Sequence, residues 1–443
     1  MAAWPTLDRL LRDPQAATRA HTLEALGEIH IGFDPAPLVQ ALHDASAIVR
    51  RAACRSLAQT RPASAIEPLI EMLSDTDSAV RAAAASALQS YGTAATPYVI
   101  QALNHVDSQT REAALAALTT DPAAVQPLQA FAQREIAYLR SLRALGLAIP
   151  DRGRVTGFLR EMLASWAVAC EQRLITALGL LGDRGVMQQV GQGLRSHSAD
   201  SRAAAVEALE TLGDKSLVKQ IIPLLEDAPS RERLSIEMAL RRCIESGDIW
   251  LRALAARAIP EVNVIALIPQ LHALSAEVDV VVRAAARDAL LQLAEVKDME
   301  TLQTMSVIER VLLLHAVPLF ETLSPDDLTQ IANIAREQWY ADGSSICREG
   351  EEGREMYVLA QGQVRVTKQT SEGEKYLATR YPGDFLGEMS IVQAAPRMSN
   401  VLAEGEVRAL VIGAEAFNTI LHDRPDVALA MLRSVMQRLR EKE

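Results

Sequence analysis

Hydrophobic positions in the first 300 residues recur at helical spacing, in units of about 30 residues. Val49, Ala53 and Leu57 stand four residues apart, which is the spacing along one face of an α-helix. A second stripe follows in the same unit, as at Ile66 and Leu69. The alternation of two short stripes predicts a chain of two-helix units.

An arginine marks the same place in successive units and sets their period. In most units it follows a short acidic turn and a small or β-branched residue, and it opens an alanine-rich stretch. These arginines are Arg19, Arg50, Arg81, Arg111, Arg140, Arg173, Arg202 and, later, Arg283. The first seven are separated by 29 to 33 residues. Asp13, Asp44 and Asp75 lie where an inter-helix turn and a helix N-cap are expected. We therefore expect each arginine to pair with an inter-repeat aspartate or to cap a helix end.

One break in the register and one change of pattern interrupt this series. Only 19 residues separate Arg233 from Arg252, so an extra helix is predicted over 249–259. After residue 300 two further helices are predicted, over 306–315 and 328–335, the second opened by Ser324 as N-cap.

Beyond Glu337 the hydrophobic period falls from helical spacing to two. The segments 356–360 and 363–367 alternate around Gly362 and predict two antiparallel strands. The last 143 residues also hold 8 of the 17 aromatic residues and 9 of the 22 glycines. Short strands with frequent glycine turns are typical of a small barrel or jelly roll.

Composition excludes several classes of function. The 443 residues carry a net charge of −11, which disfavours a broad electrostatic grip on nucleic acid. No segment has the roughly 18–20 apolar residues of a membrane-spanning helix, and no signal peptide opens the chain. The four cysteines lie too far apart for a zinc spacing or a disulfide frame, so we expect a cytoplasmic protein without a metal. No catalytic constellation is present, and we expect no enzyme activity.

The segment 383–401 offers the most specific chemistry of the chain. Its glycines free backbone N–H groups, and the start of the short helix that follows favours an anion. Arg397 adds a planar, permanently charged fork suited to phosphate. Glu388 supplies an acceptor suited to sugar hydroxyls. A ligand with a phosphate at one edge and a polyol at the other, such as a cyclic ribose phosphate, meets this description.

This segment resembles the phosphate-binding cassette of cyclic-nucleotide-binding domains. Glu388 and Arg397 stand nine residues apart, as in that family. The resemblance implies that Glu388 holds the ribose 2′-hydroxyl and that Arg397 holds the cyclic phosphate. The implied ligand-binding set is Gly387, Glu388, Met389, Ser390, Arg397, Met398 and Ser399. Met398 cannot donate a hydrogen bond to guanine, so cyclic AMP is favoured over cyclic GMP, although its bulk leaves open a pocket that binds neither.

The repeats before it resemble short HEAT-type repeats, also seen in phycobilisome-lyase-like proteins. The predicted fold is therefore an α-solenoid of HEAT-like two-helix repeats over 1–300, followed by an α+β cyclic-nucleotide-binding domain over 301–443. This second domain is a β jelly-roll barrel with a helical lead-in and a C-terminal lid helix over 425–441. The apolar residues of the lid fit core packing, a cover for the base or a contact between subunits, so a homo-oligomer stays open.

The leading functional hypothesis is a regulatory protein that senses a cyclic nucleotide and passes the signal to a protein partner on the solenoid. Two alternatives stay open. HEAT-like repeats before this domain resemble the soluble tail of bacterial ADP/ATP-translocase-like proteins, which would make the chain a regulatory region or stand-alone homologue of a transporter. The repeats alone resemble those of chromophore lyases, a weaker basis for a function.

Overall fold

The computed structural model describes residues 4–28, 34–194, 198–212, 215–225, 234–294, 304–321, 323–371, 373–387 and 396–423, with 428–429, 432 and 436. Helices occupy the described chain before residue 295, and an antiparallel sheet dominates the part after residue 336. This confirms the predicted fold class. Two compact units are present: Met1–Gly146 with Met162–Arg233, and Leu147–Glu161 with Leu234–Glu443. The predicted boundary at residue 300 falls in the undescribed stretch 295–303.

Seventeen α-helices precede residue 295 in the described part of the chain. They are α1 (Trp4–Leu11), α2 (Ala16–Gly27), α3 (Ala36–Gln40), α4 (Ala47–Thr60), α5 (Ile66–Glu71), α6 (Ser78–Ser90), α7 (Thr96–Ala102), α8 (Ser108–Ala117), α9 (Val125–Ala148), α10 (Arg154–Leu181), α11 (Arg184–Leu194), α12 (Ala199–Leu212), α13 (Lys215–Leu225), α14 (Ile236–Ile244), α15 (Ile249–Glu261), α16 (Ile268–Leu274) and α17 (Val280–Leu293). In the first unit, α2, α4, α6 and α8 pack in series. Fully buried alanines such as Ala53 and Ala84 let these helices approach closely.

The recurrent arginine joins neighbouring repeats. Nη1 of Arg50 donates to the carbonyls of Asp44 and Ala45, while its Nε and Nη2 donate to the Asp75 carboxylate at 2.7 and 2.8 Å. The Nη1 fork onto two carbonyls also occurs at Arg19, Arg81, Arg111 and Arg283. The prediction that Asp75 caps a helix is wrong, because Asp77 caps α6. The carboxylate of Asp75, two residues before Asp77, instead accepts hydrogen bonds from Arg50 of the preceding repeat.

The two-helix pattern is lost where α9 and α10 run for 24 and 28 residues. Arg140 and Arg173, predicted to follow inter-helix turns, lie inside these helices. The residues just before each of them include no Pro, Gly or Asp that would end a helix. The spacing of the arginines therefore continues while the turns do not. The extra helix predicted near residue 250 is present as α15.

The remaining elements form a helical lead-in and a sheet. They are α18 (Val307–His315), α19 (Pro325–Ile334), β1 (Arg336–Tyr340), β2 (Ser345–Cys347), β3 (Glu355–Thr370), β4 (Gly373–Arg380), β5 (Phe385–Leu386), β6 (Asn400–Gly413) and α20 (Ala414–Asp423). The strand order is β1-β6-β3-β4, with β2 on β6 and β5 on β3, and every pair is antiparallel. Ser306 and Ser324 cap the two lead-in helices. The predicted lid lies outside the described residues except at 428–429, 432 and 436, which are helical.

The predicted hairpin around Gly362 is wrong. Both segments belong to the single 16-residue strand β3, whose pairing with β6 shifts register on either side of Gln361. Gly362 has φ +79°, and a Cβ there would collide with the Glu406 carbonyl. A glycine with positive φ therefore makes a bulge that bends one strand, where the sequence pattern suggested a turn between two.

Within the second unit, residues from several solenoid helices contact the lead-in. Ser306 donates to Asp288 of α17 at 2.7 Å, and Nη2 of Arg154 donates to the Leu312 carbonyl of α18 at 2.6 Å. Trp250 of α15 donates from Nε1 to Asp326 of α19 at 3.0 Å. The lead-in of the sheet domain is therefore packed against solenoid helices of the same unit.

Candidate functional site

The backbone of Arg397 is fixed by the loop that precedes β3. The Arg397 N–H donates to the Glu351 carbonyl, and the Gly350 N–H donates to the Arg397 carbonyl, both at 2.8 Å. The neighbouring residues Glu352 and Pro396 form an isolated β-bridge. Backbone hydrogen bonds therefore join two loops that are far apart in sequence, at the arginine that is predicted to bind the ligand.

The Arg397 side chain is buried beneath this loop, with 8% of the residue exposed. Its Nη2 donates to the Glu355 carbonyl at 2.8 Å, and its Cζ lies 5.3 Å from the centroid of the Tyr357 ring. Two glycines make room for it. A Cβ built on Gly353 would approach Nε, and one built on Gly387 would approach Nη1, both closer than the 3.0 Å that real Cβ atoms respect. Gly387 also has φ +79°, which favours glycine.

A cavity of about 400 Å³ opens beside this guanidinium. It is lined by Ile346, Cys347, Glu351, Glu352, Gly353, Arg354, Glu355, Tyr357 and Arg397. Its volume lies in the range of about 300–1,000 Å³ that is usual for small-molecule sites. A largely buried guanidinium at the wall of such a cavity can bind an anionic group of a ligand by charge-assisted hydrogen bonds.

Three neighbours of Arg397, the hydroxyls of Tyr340 and Tyr357 and the thiol of Cys347, keep their protons at neutral pH. Burial raises the pKa of Tyr357, and the adjacent Glu355 carboxylate raises it further. Burial likewise raises the pKa of Tyr340 to about 12 and raises that of the Cys347 thiol. These aromatic hydroxyls and this thiol therefore add no negative charge against an anionic ligand.

The structure brings together two members of the predicted ligand-binding set, Gly387 and Arg397. Met398 points outward with 61% of the residue exposed. Ser399 is half-buried, and its carbonyl accepts from the Cys347 thiol at 3.9 Å. The other three members, Glu388, Met389 and Ser390, lie outside the described residues.

Sequence reasoning missed the groups that hold Arg397. Gly353, Tyr357 and the Glu355 carbonyl all contact it, yet they precede it by 40 to 44 residues. In the sequence Tyr357 is part of an alternating strand pattern and of the resemblance to the first barrel strands, and neither marks the ring as a neighbour of an arginine. No residue-type signal could have identified a backbone carbonyl.

No cluster of His, Cys, Asp and Glu suited to a metal ion occurs among the described residues. No helix in the described ranges has the length and apolar character needed to span a membrane.

Two families match parts of the chain. Residues 337–424 match the cyclic nucleotide-binding domain, and residues 35–119 match HEAT repeats. Among relatives, a 109-residue segment is 38% identical to the cGMP-dependent protein kinase 2 of Homo sapiens, covering 24% of this chain and 14% of the kinase. A 108-residue segment is 32% identical to the cAMP-dependent protein kinase regulatory subunit of Colletotrichum orbiculare, covering 24% of this chain and 27% of that subunit.

Among solved structures, the N-terminal domain of a transcriptional regulator from Streptomyces coelicolor A3(2) is 32% identical. The match has a TM-score of 0.28 and covers 30% of this chain and 94% of that domain. The similarity to all three proteins is confined to a fraction of the chain, and each of the two protein kinase relatives is matched over less than a third of its own length.

Proposed function

We propose that this chain, in which HEAT repeats precede a cyclic nucleotide-binding domain, is a non-enzymatic cytoplasmic sensor of cyclic AMP. Nucleotide binding to the sheet domain alters how the solenoid meets a protein partner. The observation that carries the proposal is the buried Arg397 guanidinium at the wall of a cavity of about 400 Å³, inside the segment that matches the domain family.

In this proposal Arg397 binds the cyclic phosphate. Gly387 supports the assignment because its missing Cβ leaves space for the guanidinium. Glu388 binds the ribose 2′-hydroxyl, and Met389, Ser390, Met398 and Ser399 complete the site. A cyclic phosphate is a suitable ligand for one buried arginine, because a planar donor fork can give two hydrogen bonds to two phosphate oxygens.

The preference for cyclic AMP rests on Met398. A thioether cannot donate a hydrogen bond to the carbonyl oxygen of guanine. Among the relatives, one kinase is named for cyclic GMP and one regulatory subunit is named for cyclic AMP. These names therefore do not decide between the two ligands. A direct comparison of the two ligands is therefore part of the test.

Coupling of the sheet domain to the solenoid is supported by the segments that make up the second unit. It contains the sheet domain together with Leu147–Glu161 and the helices from Leu234 onward. Asp288, Arg154 and Trp250 from these solenoid segments hydrogen-bond the lead-in helices. A nucleotide that binds two arrangements of this unit unequally would shift the solenoid helices with it.

Calorimetric titration of the full chain with cyclic AMP and cyclic GMP tests the proposal. We expect binding of both, tighter for cyclic AMP. Arg397→Ala removes charge-assisted hydrogen bonds of about 1.5–3 kcal/mol each, so affinity should fall by about a hundredfold. Arg365→Ala is the matched control, because Arg365 is an exposed strand arginine of the same sheet, paired with Glu404 at 3.0 Å.

Three results would refute parts of this proposal. If neither nucleotide gives a heat of binding, the sensing function is refuted. Equal losses in Arg397→Ala and Arg365→Ala refute the assigned phosphate site. Tighter binding of cyclic GMP refutes the ligand choice and leaves the site standing.

A further inference from the structure

The Tyr357 ring lies against the guanidinium that the proposed function assigns to phosphate. The Arg397 Cζ is 5.3 Å from the ring centroid, within the roughly 6 Å at which a cation is attracted to an aromatic face. Both residues are buried, Tyr357 with 5% and Arg397 with 8% exposure. The attraction is stronger in such a site because little water screens it.

The position of the ring is itself set by several neighbours. Its hydroxyl donates to Oε2 of Glu355 at 3.0 Å, and Oε1 of Glu355 pairs with Arg336 of β1 at 2.5 Å. The Tyr340 ring packs edge-on against it with centroids 6.5 Å apart. In the backbone, Tyr357 pairs with β5 on one side and with β6 on the other. The ring is therefore held by the sheet, whereas Arg397 lies outside any strand.

A ring face suits this position better than a carboxylate would. A carboxylate accepts the guanidinium N–H groups and neutralises the charge that a phosphate ligand needs. An aromatic face attracts the same cation through its quadrupole and leaves its net charge in place. Contact with the ring restricts the Arg397 side chain to fewer rotamers before the ligand binds. Less conformational entropy is therefore lost on binding.

We infer that Tyr357 is a positioning residue of the nucleotide site, whose ring face holds the Arg397 guanidinium in the orientation that binds the cyclic phosphate. This inference rests on the proposed function, since it assigns a role within the same site. It predicts that the affinity for cyclic nucleotide depends on the electron density of the ring at position 357.

A series of rings with nearly equal volume tests the inference without emptying the core. Tyr357→Phe in the full chain is followed by replacement with mono-, di- and trifluorophenylalanine, introduced by nonsense suppression. Fluorine withdraws electron density from the ring face and weakens its attraction for a cation. We expect Tyr357→Phe to bind cyclic AMP within about threefold of the unchanged protein. The Kd should then rise with each fluorine, to about tenfold for the trifluoro ring, which corresponds to about 1.4 kcal/mol.

The same sheet offers a matched control. Arg408 lies over the Trp339 ring with its Cζ 5.1 Å from the centroid, and neither residue lines the cavity. Trp339→Leu removes a contact of the same kind at another place in the domain. We expect it to leave the Kd for cyclic AMP unchanged.

The outcomes separate this inference from the proposed function. If the unchanged protein binds cyclic AMP and the Kd does not vary with fluorine, the inference is overturned and the sensing function stands. If Tyr357→Phe already shows the full loss, the hydroxyl contact with Glu355 matters and the ring face does not, which also overturns it. If the unchanged protein binds neither cyclic nucleotide, the proposed function fails and the inference fails with it.

Discussion

Glu135 lies between two arginines in the interior of the first unit. Its Oε1 accepts from Nε of Arg111 at 3.0 Å, and its Oε2 accepts from Nε and Nη2 of Arg173 at 2.9 and 2.7 Å. The Cys170 thiol also donates to Oε2, at 3.1 Å. Arg173 is only 2% exposed. One carboxylate is thus the shared ion-pair partner of two arginines, of which Arg173 is deeply buried.

Removing the charge of Glu135 should destabilise the first unit strongly. Glu135→Gln keeps the shape of the side chain and leaves the buried Arg173 without its counter-charge, which typically costs about 3–5 kcal/mol. Urea unfolding followed by circular dichroism measures the change in the free energy of unfolding. Glu24→Gln, at an exposed pair with Arg55 of 3.7 Å, serves as the control and should cost under about 1 kcal/mol. Similar losses in both variants would show that the buried triad contributes no more than a surface pair.

A methyl group on Gly353 should disturb the nucleotide site. Gly353→Ala places a Cβ against Nε of Arg397, so the guanidinium must move. We expect at least a tenfold rise in the Kd for cyclic AMP, the effect of about 1.4 kcal/mol, by calorimetry. Gly413→Ala is the control in the same domain, because a Cβ there meets nothing within 4 Å. An unchanged Kd in Gly353→Ala would mean that the guanidinium tolerates displacement.

At the residue scale the sequence predicted Arg397 and Gly387 and missed their supports. The chemistry of a charged fork within a glycine-containing segment is visible in a local window. The contacts with Gly353 and Tyr357 depend on how β3 folds back beside that segment, which no local window contains. Glu135 was missed for a related reason, because from within a long helix it takes the place that Asp44 and Asp75 have in earlier repeats.

Helix α18 is fixed at its two ends by side chains from distant parts of the second unit. At its start Ser306 caps the helix and also donates to Asp288. At its end His315 stacks on Phe158 with ring centroids 3.9 Å apart and lies 3.2 Å from Glu161. Burial and the charge of Arg154 lower the pKa of His315 from 6.5 to about 4. The end of the helix therefore holds an uncharged imidazole at neutral pH.

Stability of the second unit should fall as the pH decreases from about 6.5 to about 4. In this window the unfolded chain binds a proton at His315 and the folded chain does not, so folding is opposed as protons are added. Below about pH 4 both states are protonated, and this loss stops growing. Thermal unfolding at several pH values measures it.

The variant His315→Phe keeps a ring against Phe158 and removes the titration. Its unfolding temperature should therefore fall less than that of the unchanged protein between pH 7 and 4.5. His272→Gln, at an exposed site on α16, is the control and should retain the full dependence. Parallel curves for all three proteins would contradict the role of His315.

At the element scale the cap of α19 was predicted, whereas the cap at Asp75 was predicted wrongly and the anchors of α18 were not predicted. Ser324 and the residues that follow it form a local signal, and α19 begins directly after Ser324. The hairpin at Gly362 was predicted wrongly because a glycine between two alternating runs fits both a turn and a bulge. The choice between them depends on β6, which pairs with β3 from Glu355 to Thr367, on both sides of Gly362, and lies about 40 residues away.

The division of the whole molecule does not follow the change in sequence pattern. The second unit takes in Leu147–Glu161 and the helices from Leu234 onward, all of which have the helical pattern of the repeats. Hydrophobic periodicity reports which kind of element a segment forms. It carries no information on which elements share a compact unit.

Nucleotide binding should therefore protect solenoid helices of the second unit from hydrogen exchange. At a concentration of cyclic AMP a hundredfold above Kd, the ligand stabilises the bound unit by about 2.7 kcal/mol. Amides of α15 and α17 that exchange through opening of the whole unit should slow by about a hundredfold. Mass spectrometry of peptides from the full chain measures this, with α4 of the first unit as the internal control. Protection limited to the sheet domain would show that the unit does not open cooperatively.

The hydrogen bond from Arg154 to the Leu312 carbonyl sets an order of events during synthesis, since 158 residues separate its two ends. A ribosome adds about 5–20 residues per second, so the partner follows after roughly 8–30 s. The residues of the first unit end at Arg233, well before Leu312 is made. The nascent chain can therefore complete its first unit before Leu147–Glu161 can form its contact with the lead-in helix α18.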